Sequence, residues 1–208
     1  MKVLLINGSP RANGCTYTGL SIIKEQLAKD GVNSHIFQVG SKPVMGCTAC
    51  LACKQPGKTG RCVVEADGVN AAGRALREAD GIILGSAVHF GSATGAAVSF
   101  FDRLFYSTEP EAKRLKFGAS IVSCRRGGNS AAFDQLNKYF TISQMPVVSS
   151  CYWNGIHGYT PKDVYVDVGG VRILQILASN MAYLIKCKKE SHVVLPEEPP
   201  KVMMNFIR

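Results

Sequence analysis

Apolar positions along this chain follow two rhythms. Short runs rich in apolar and β-branched residues occur at Val3–Ile6, Val32–Val39, Gly81–Ser86, Phe117–Ser123 and Pro146–Ser149, and each predicts a strand. Between them the period changes to that of a helix. Leu20, Ile23 and Leu27 form one stripe, which stops near Asp30-Gly31, and Val69, Ala72, Leu76 and Ala79 form a second. From Thr94 to Tyr106, Ala97, Val98, Phe101, Leu104 and Phe105 share a helix face and leave Ser99, Asp102 and Arg103 on the other. A fourth helix is predicted from about Ser130 to Ser143. A fifth runs from roughly Val168 to Lys188, with Val171, Leu174, Leu177, Met181 and Leu184 as its stripe.

Strand followed by helix, repeated about five times, predicts an α/β fold: an open, doubly wound parallel sheet with helices on both faces. Five strands suit the flavodoxin-like order 2-1-3-4-5 better than a six-stranded dinucleotide fold. No internal repeat or domain boundary interrupts the pattern, so residues 1–190 are expected to form one domain. A tail over 191–208 contains Pro196, Pro199 and Pro200 and cannot be regular helix. Its apolar end, Val202–Ile207, is expected to dock on the body or on a second subunit.

Composition narrows the class. Apolar residues are 46% and charged residues 19% of the 208, as in globular proteins. The net charge of +9 is spread over separate groups: Lys54, Lys58 and Arg61, then Lys113, Arg114 and Lys116, then Arg125 and Arg126. These read as solvated faces, and with no helix-turn-helix, zinc-finger or basic-zipper pattern nucleic acid is not an expected partner. The opening MKVLLINGSP has too brief an apolar run for a signal peptide, and no stretch approaches the ~20 apolar residues of a spanning helix. A cytoplasmic protein without membrane association is expected, and its eight cysteines are then thiols or metal ligands rather than a disulfide framework.

In such sheets ligands bind beyond the carboxyl ends of the strands. Three loops land there. Gly8–Thr16 places glycines, Ser9, Asn13, Thr16 and Arg11 before a helix N-terminus, a phosphate cradle that lacks the Gly-Lys-Ser/Thr ending of a Walker A loop. A plain strand-to-helix turn explains the same residues. Ser86–Thr94 has small residues that let a flat ring approach the backbone, with His89 and Phe90 able to flank it. Ser123–Asn129 offers Arg125, Arg126 and two glycines. A fourth segment, the loop over 43–64, has Cys47, Cys50, Cys53 and Cys62 in the spacing C-x2-C-x2-C-x8-C. Four thiolates on an irregular loop suit a [4Fe–4S] cluster or zinc, and four free thiols suit the spacing as well. Lys54, Lys58 and Arg61 would partly balance a cluster's negative charge.

"INGSPRANGCT", "ADGIILGSAVHFGSATGAAVSFFDR" and "RRGGNSAAFDQLNKYF" resemble the three flavin-contacting regions of the NADPH-dependent FMN reductase family, and "GCTACLAC" with a later cysteine resembles the motif of its iron–sulfur flavoprotein branch. "SSCYWNGIHG" resembles a segment that follows the fifth strand in such proteins. The resemblance implies FMN, with its phosphate near Ser9, Arg11, Asn13, Cys15 and Thr16, its ring against Ala87, Val88, His89, Phe90, Gly91 and Ser92, and Arg125, Gly127 and Gly128 closing the other edge. It also implies a homodimer or homotetramer. Ala87 stands where the family usually has Pro, His89 where it has Tyr, and Ser99 where it often has Lys. The usual acidic pair after the last motif cysteine is reduced to Asp67.

The activity so implied is oxidoreduction from NAD(P)H through FMN to a quinone, a flavin or a redox protein. No side-chain acid or base is obligatory for it, and no catalytic residue is assigned. The alternatives are a one-electron relay between a [4Fe–4S] cluster and FMN, and a non-catalytic flavin-binding sensor. Tyr152 and Trp153 read either as an aromatic anchor after the last strand or as a cap on a neighbour's flavin.

Overall fold

The computed structural model describes residues 1–39, 41–57, 60–200 and 202. Parallel strands β1 (Lys2–Asn7), β2 (Asn33–Gln38), β3 (Gly81–His89), β5 (Phe117–Cys124) and β6 (Gly155–His157) stand in the order β2-β1-β3-β5-β6, which is 2-1-3-4-5 when β4 (Ser92–Ala93) is set aside. That short strand pairs antiparallel with the end of β3. The crossovers are α1 (Cys15–Lys29), α2 (Val69–Glu78), α3 (Gly95–Ser107) and α4 (Asn129–Ile142). After β6 come a single turn, α5 (Asp163–Val166), and the long α6 (Val168–Glu190).

The alternation within each strand divides the interior into two cores. Val3, Leu5, Ile83 and Ile121 face α1 and α6, against Leu20, Ile23, Leu174, Leu177 and Met181. Leu4, Ile6, Ile82, Leu84 and Val122 face α2, α3 and α4, against Leu76, Phe100, Phe101, Leu104, Leu136 and Phe140. Nearly all of these are fully buried, each worth about 1.5–3 kcal/mol relative to exposure. In length and composition α6 would suffice to cross a membrane, yet its apolar stripe forms a wall of the first of these cores.

Two predicted elements differ. Pro146–Ser149 is not the fifth strand: it contributes one bridge, Val147 to Gly118, and the chain then leaves the sheet over 149–154 before β6 resumes the pairing with Val122–Cys124. Asn154 makes the return. Its carbonyl accepts the Val122 N–H (3.0 Å) and its side-chain amide donates to the Ser120 carbonyl (3.0 Å). The excursion carries Tyr152 and Trp153, both exposed, with ring centroids 5.0 Å apart. The second difference is Arg103, which the stripe put on the polar face of α3 and which is 2% exposed.

The tail lies extended beside the body. Arg114 donates to the Pro196 carbonyl (2.7 Å) and Gln144 to Glu198 (2.8 Å). Residues 203–207, most of the predicted apolar end, lie outside the described residues, as does Lys58.

The C-terminal end of α3 gathers cations, as its dipole favours. The Lys113 ammonium donates to the carbonyls of Phe105 and Thr108, and Lys54 donates to that of Tyr106 (2.5 Å). Burial, and then the charge of Lys54, push the Lys113 pKa down to about 8. The unfolded chain therefore holds this proton more tightly, and stability rises with pH from about 8 towards the unfolded value near 10.5. The urea midpoint of the wild type is expected to climb between pH 8 and pH 9.5 by the equivalent of roughly 1–2 kcal/mol, at about 1.4 kcal/mol per unit. A Lys113→Met variant should lack that climb. Parallel profiles for the two proteins would refute it.

Candidate functional site

The loop after β1 is shaped before any ligand arrives. Gly8 donates its N–H to the Gly85 carbonyl (2.8 Å), and a Cβ on Gly8 would stand 2.6 Å from that of Ala97 and 2.8 Å from the Gly85 oxygen, so only glycine lets the chain pass. Thr94 Oγ1 donates to the Gly8 carbonyl (2.8 Å) and accepts from the Ala97 N–H (3.3 Å), capping α3. The Thr94 N–H donates to Ser86 Oγ (3.0 Å). From the β2 side, Gln38 donates to the Ser9 carbonyl (2.9 Å) while its own amide oxygen accepts from Asn7 (2.5 Å). Ser9 Oγ in turn accepts the Arg11 N–H (3.2 Å).

A cleft of roughly 320 Å³ opens at this end of the sheet. Ser9, Arg11, Cys15 and Thr16 line one side, Ala87, Val88 and His89 the floor, and Arg125 the far rim. Asn13 is exposed and stands outside the lining. Gly14, Ser123, Cys124, Gly158 and Tyr159 line the cleft as well, although sequence reasoning assigned them no ligand contact. Tyr159 comes from the turn after β6 and lies under the Arg125 guanidinium, 5.2 Å from ring centroid to Cζ.

The predicted loop at Ser86–Thr94 is a hairpin. Phe90 (φ 51°) and Gly91 (φ 75°) are the two left-handed residues of a tight turn between His89 and Ser92. Phe90 projects fully into solvent, and Ser92 turns away to Gln135 (2.9 Å). Phe90, Gly91, Ser92, Gly127 and Gly128 stand outside the lining of the cleft. Gly128 (φ 86°) has no room for a side chain, since a Cβ there would lie 2.8 Å from the Gly91 Cα. This close contact locks the loop after β5 against the hairpin.

The cleft suits a phosphorylated flavin. Helix α1 begins at Gly14 with no side-chain cap and no acidic residue in its first turn, so its end presents free N–H donors. Thr16 and Ser123, both buried, hold their hydroxyls 2.7 Å apart. Arg11 and Arg125 flank the opening, and no carboxylate lines it. Burial pushes the thiols of Cys15 and Cys124 up, which keeps them neutral beside an anion.

The four motif cysteines meet at a second place. Cys47, Cys50, Cys53 and Cys62 line one cavity of about 30 Å³ beside Arg103 and Tyr106 of α3. Ala49 (φ 52°) and Leu51 (φ 57°) are left-handed, which bends the ribbon sharply on either side of Cys50. The Ala52 N–H and then the Thr48 side chain hydrogen-bond to Cys50 and hold its thiol below the ordinary value, whereas burial pushes Cys53 up. Among the described residues no three Cys, His, Asp or Glu side chains stand together closely enough for a single ion. All four cysteines line the cavity, whereas zinc would need their sulfurs to converge to about 2.3 Å from one point. Four thiols on one cavity are a donor set that zinc and an iron–sulfur cluster both take.

The loop returns under tight anchorage. Arg77 of α2 donates to the Gly60 carbonyl (2.5 Å) and pairs with Glu109 (2.5 and 2.6 Å). Asn70 grips Cys62 by both backbone groups, accepting its N–H (2.8 Å) and donating to its carbonyl (2.9 Å). Sequence reasoning assigned no role to Asn70, Arg77 or Arg103. Asp67, noted only as the remnant of an acidic pair, accepts from Arg103.

The model of the NADPH-dependent FMN reductase family matches residues 1–159. An iron–sulfur flavoprotein of Methanocaldococcus jannaschii is 29% identical over 197 residues, covering 91% of this chain and all of that protein. An iron–sulfur flavoprotein of Methanosarcina thermophila is 27% identical over 160 residues, 75% of this chain and 82% of that one. Among solved structures, RosB with a bound riboflavin-phosphate intermediate superposes with a TM-score of 0.70 at 12% identity, covering all of this chain and 96% of its own. A flavodoxin from the domain Archaea does so with a TM-score of 0.57 at 18% identity, over 89% and 99%. These two show the fold. The family match covers more than half of the chain and brings with it each of the three loops around the cleft: this protein belongs to the NADPH-dependent FMN reductase family of flavin oxidoreductases.

Proposed function

We propose that this oxidoreductase is an iron–sulfur flavoprotein that holds FMN in the cleft and a [4Fe–4S] cluster on Cys47, Cys50, Cys53 and Cys62. The observation that carries the reading is the assembly of all four cysteines around one cavity despite the eight-residue gap before the last. The names of the relatives support it. When bound, FMN supplies two-electron and one-electron chemistry and a cluster supplies a one-electron store. The first turn of α1 with Thr16 and Ser123 would hold the phosphate. Ala87–His89 would flank the ring, and the Gly91–Gly128 contact braces the hairpin that carries them.

A nicotinamide cofactor is the proposed electron donor, as the family's description suggests, and the acceptor is a quinone, a flavin or a redox protein. A homodimer or homotetramer is the proposed assembly. No side chain in the cleft is required as acid or base, and among the described residues His89 is the one imidazole of the lining.

Two measurements test this. Protein purified without oxygen should show flavin bands with an added broad shoulder near ~400 nm, and about four iron and four sulfide per chain. Flavin bands with no iron would leave a plain FMN reductase, and stoichiometric zinc would replace the cluster. Independently, Thr16→Val with Ser123→Ala should weaken FMN binding about tenfold or more in a fluorescence titration, since a hydrogen bond to a charged group is worth about 1.5–3 kcal/mol. Unchanged affinity would place the phosphate elsewhere.

A further inference from the structure

The Arg103 guanidinium is 2% exposed and spends its donors on both ends of the cysteine loop. Nη1 donates to the Met45 carbonyl (3.2 Å), two residues before Cys47, and to the Asp67 carboxylate. Nη2 donates to the Val64 carbonyl (2.9 Å), two residues after Cys62. Nε and Nη2 both point at the Cys62 sulfur, each at 3.4 Å. A merely structural arginine would be satisfied by the carbonyls and the carboxylate. Here one whole edge of the fork faces a thiol, and Asp67, 6% exposed, fixes the orientation of the fork through the other edge.

We propose that Arg103 is the positioning residue of the cysteine site: it holds the Cys62 thiolate in the ligand ring across the long gap and, through its two N–H···S bonds, favours the reduced state of the group bound there. The inference rests on the reading of that site as a cluster site. It follows from charge. Each added electron increases the negative charge on the ligand sulfurs, and a guanidinium bonded to one of them stabilises that charge and raises the reduction potential. Asn70 holds the backbone of Cys62, but no contact of Asn70 reaches its sulfur, so the two residues have separable effects.

The test uses the full chain reconstituted anaerobically with iron, sulfide and FMN. It compares the wild type with Arg103→Lys and with the double variant Arg103→Gln, Asp67→Asn, which leaves no unpaired buried charge. The readouts are the midpoint potential in a reductive titration and the rate of iron release to a chelator, with FMN content as the measure of folding. In the double variant the equilibrium is expected to shift at least tenfold towards the oxidised state, about 59 mV for one electron. Iron should leave about 10–100-fold faster, the usual cost of losing an outer partner. Arg103→Lys should recover part of the potential and little of the retention, because one ammonium cannot span sulfur, carboxylate and carbonyls together. If the double variant loses FMN, Arg103→Lys decides by the same two readings. Equal potentials and release rates in iron-loaded wild type and variant overturn the proposal and leave the cluster reading intact. A wild type that takes up no iron overturns both.

Discussion

The hydroxyl of Thr94 joins the parts of this molecule that matter most. It ties the Gly8 carbonyl to the first turn of α3, while the Thr94 N–H donates to the hydroxyl of Ser86 within β3. One residue thus ties together the loop after β1, strand β3 beside the hairpin and the first turn of α3. The flavin cleft depends on the first two. The cysteine cavity depends on the third, because Arg103 and Tyr106 line it from the same helix. With about 1.5 Å of rise per residue, Arg103 stands roughly 12 Å along α3 from Gly95. A rigid helix, not a loop, therefore sets the relation between the two sites.

Much of this order was legible in the chain. Buried parallel strands announce themselves by composition, and continuous apolar runs at β1, β3 and β5 stand apart from the 3.6-residue stripes of α1 and α6. The fifth strand was misplaced because Pro146-Val-Val is locally more strand-like than Gly155-Ile-His157. What decides the pairing is the Asn154 amide standing in for a backbone group across from Ser120, a contact over 34 residues that no local pattern carries. The hairpin was hidden for a related reason. Its turn uses Phe90-Gly91 where Asn-Gly would be the recognisable signal, and an aromatic residue in the left-handed region costs about 1–3 kcal/mol.

Arg103 shows the same limit at the site. An amphipathic stripe assigns a charged residue to solvent, and the assignment fails where distant partners absorb the charge. Those partners are Asp67 and Cys62, 36 and 41 residues upstream. The cleft was easier. Loops at the carboxyl ends of β1, β3 and β5 must converge in this topology, so most of the predicted contacts were brought together by connectivity alone. The contribution of Gly158 and Tyr159 was missed because it follows from where β6 actually lies.

The cysteine ribbon has a shape it would not hold unaided. Two non-glycine residues, Ala49 and Leu51, stand in the left-handed region within three positions, each at a cost of the order of 1–3 kcal/mol. Lys54 on the end of α3, Arg77 on Gly60, Asn70 on Cys62 and Arg103 on both flanks are the contacts that offset it. All four are polar, and none is within the ribbon itself. The fold thus supplies from α2 and α3 the constraint that a compact spacing would otherwise provide, and this is how a chain with eight residues before its last cysteine still brings all four cysteines to the lining of one cavity.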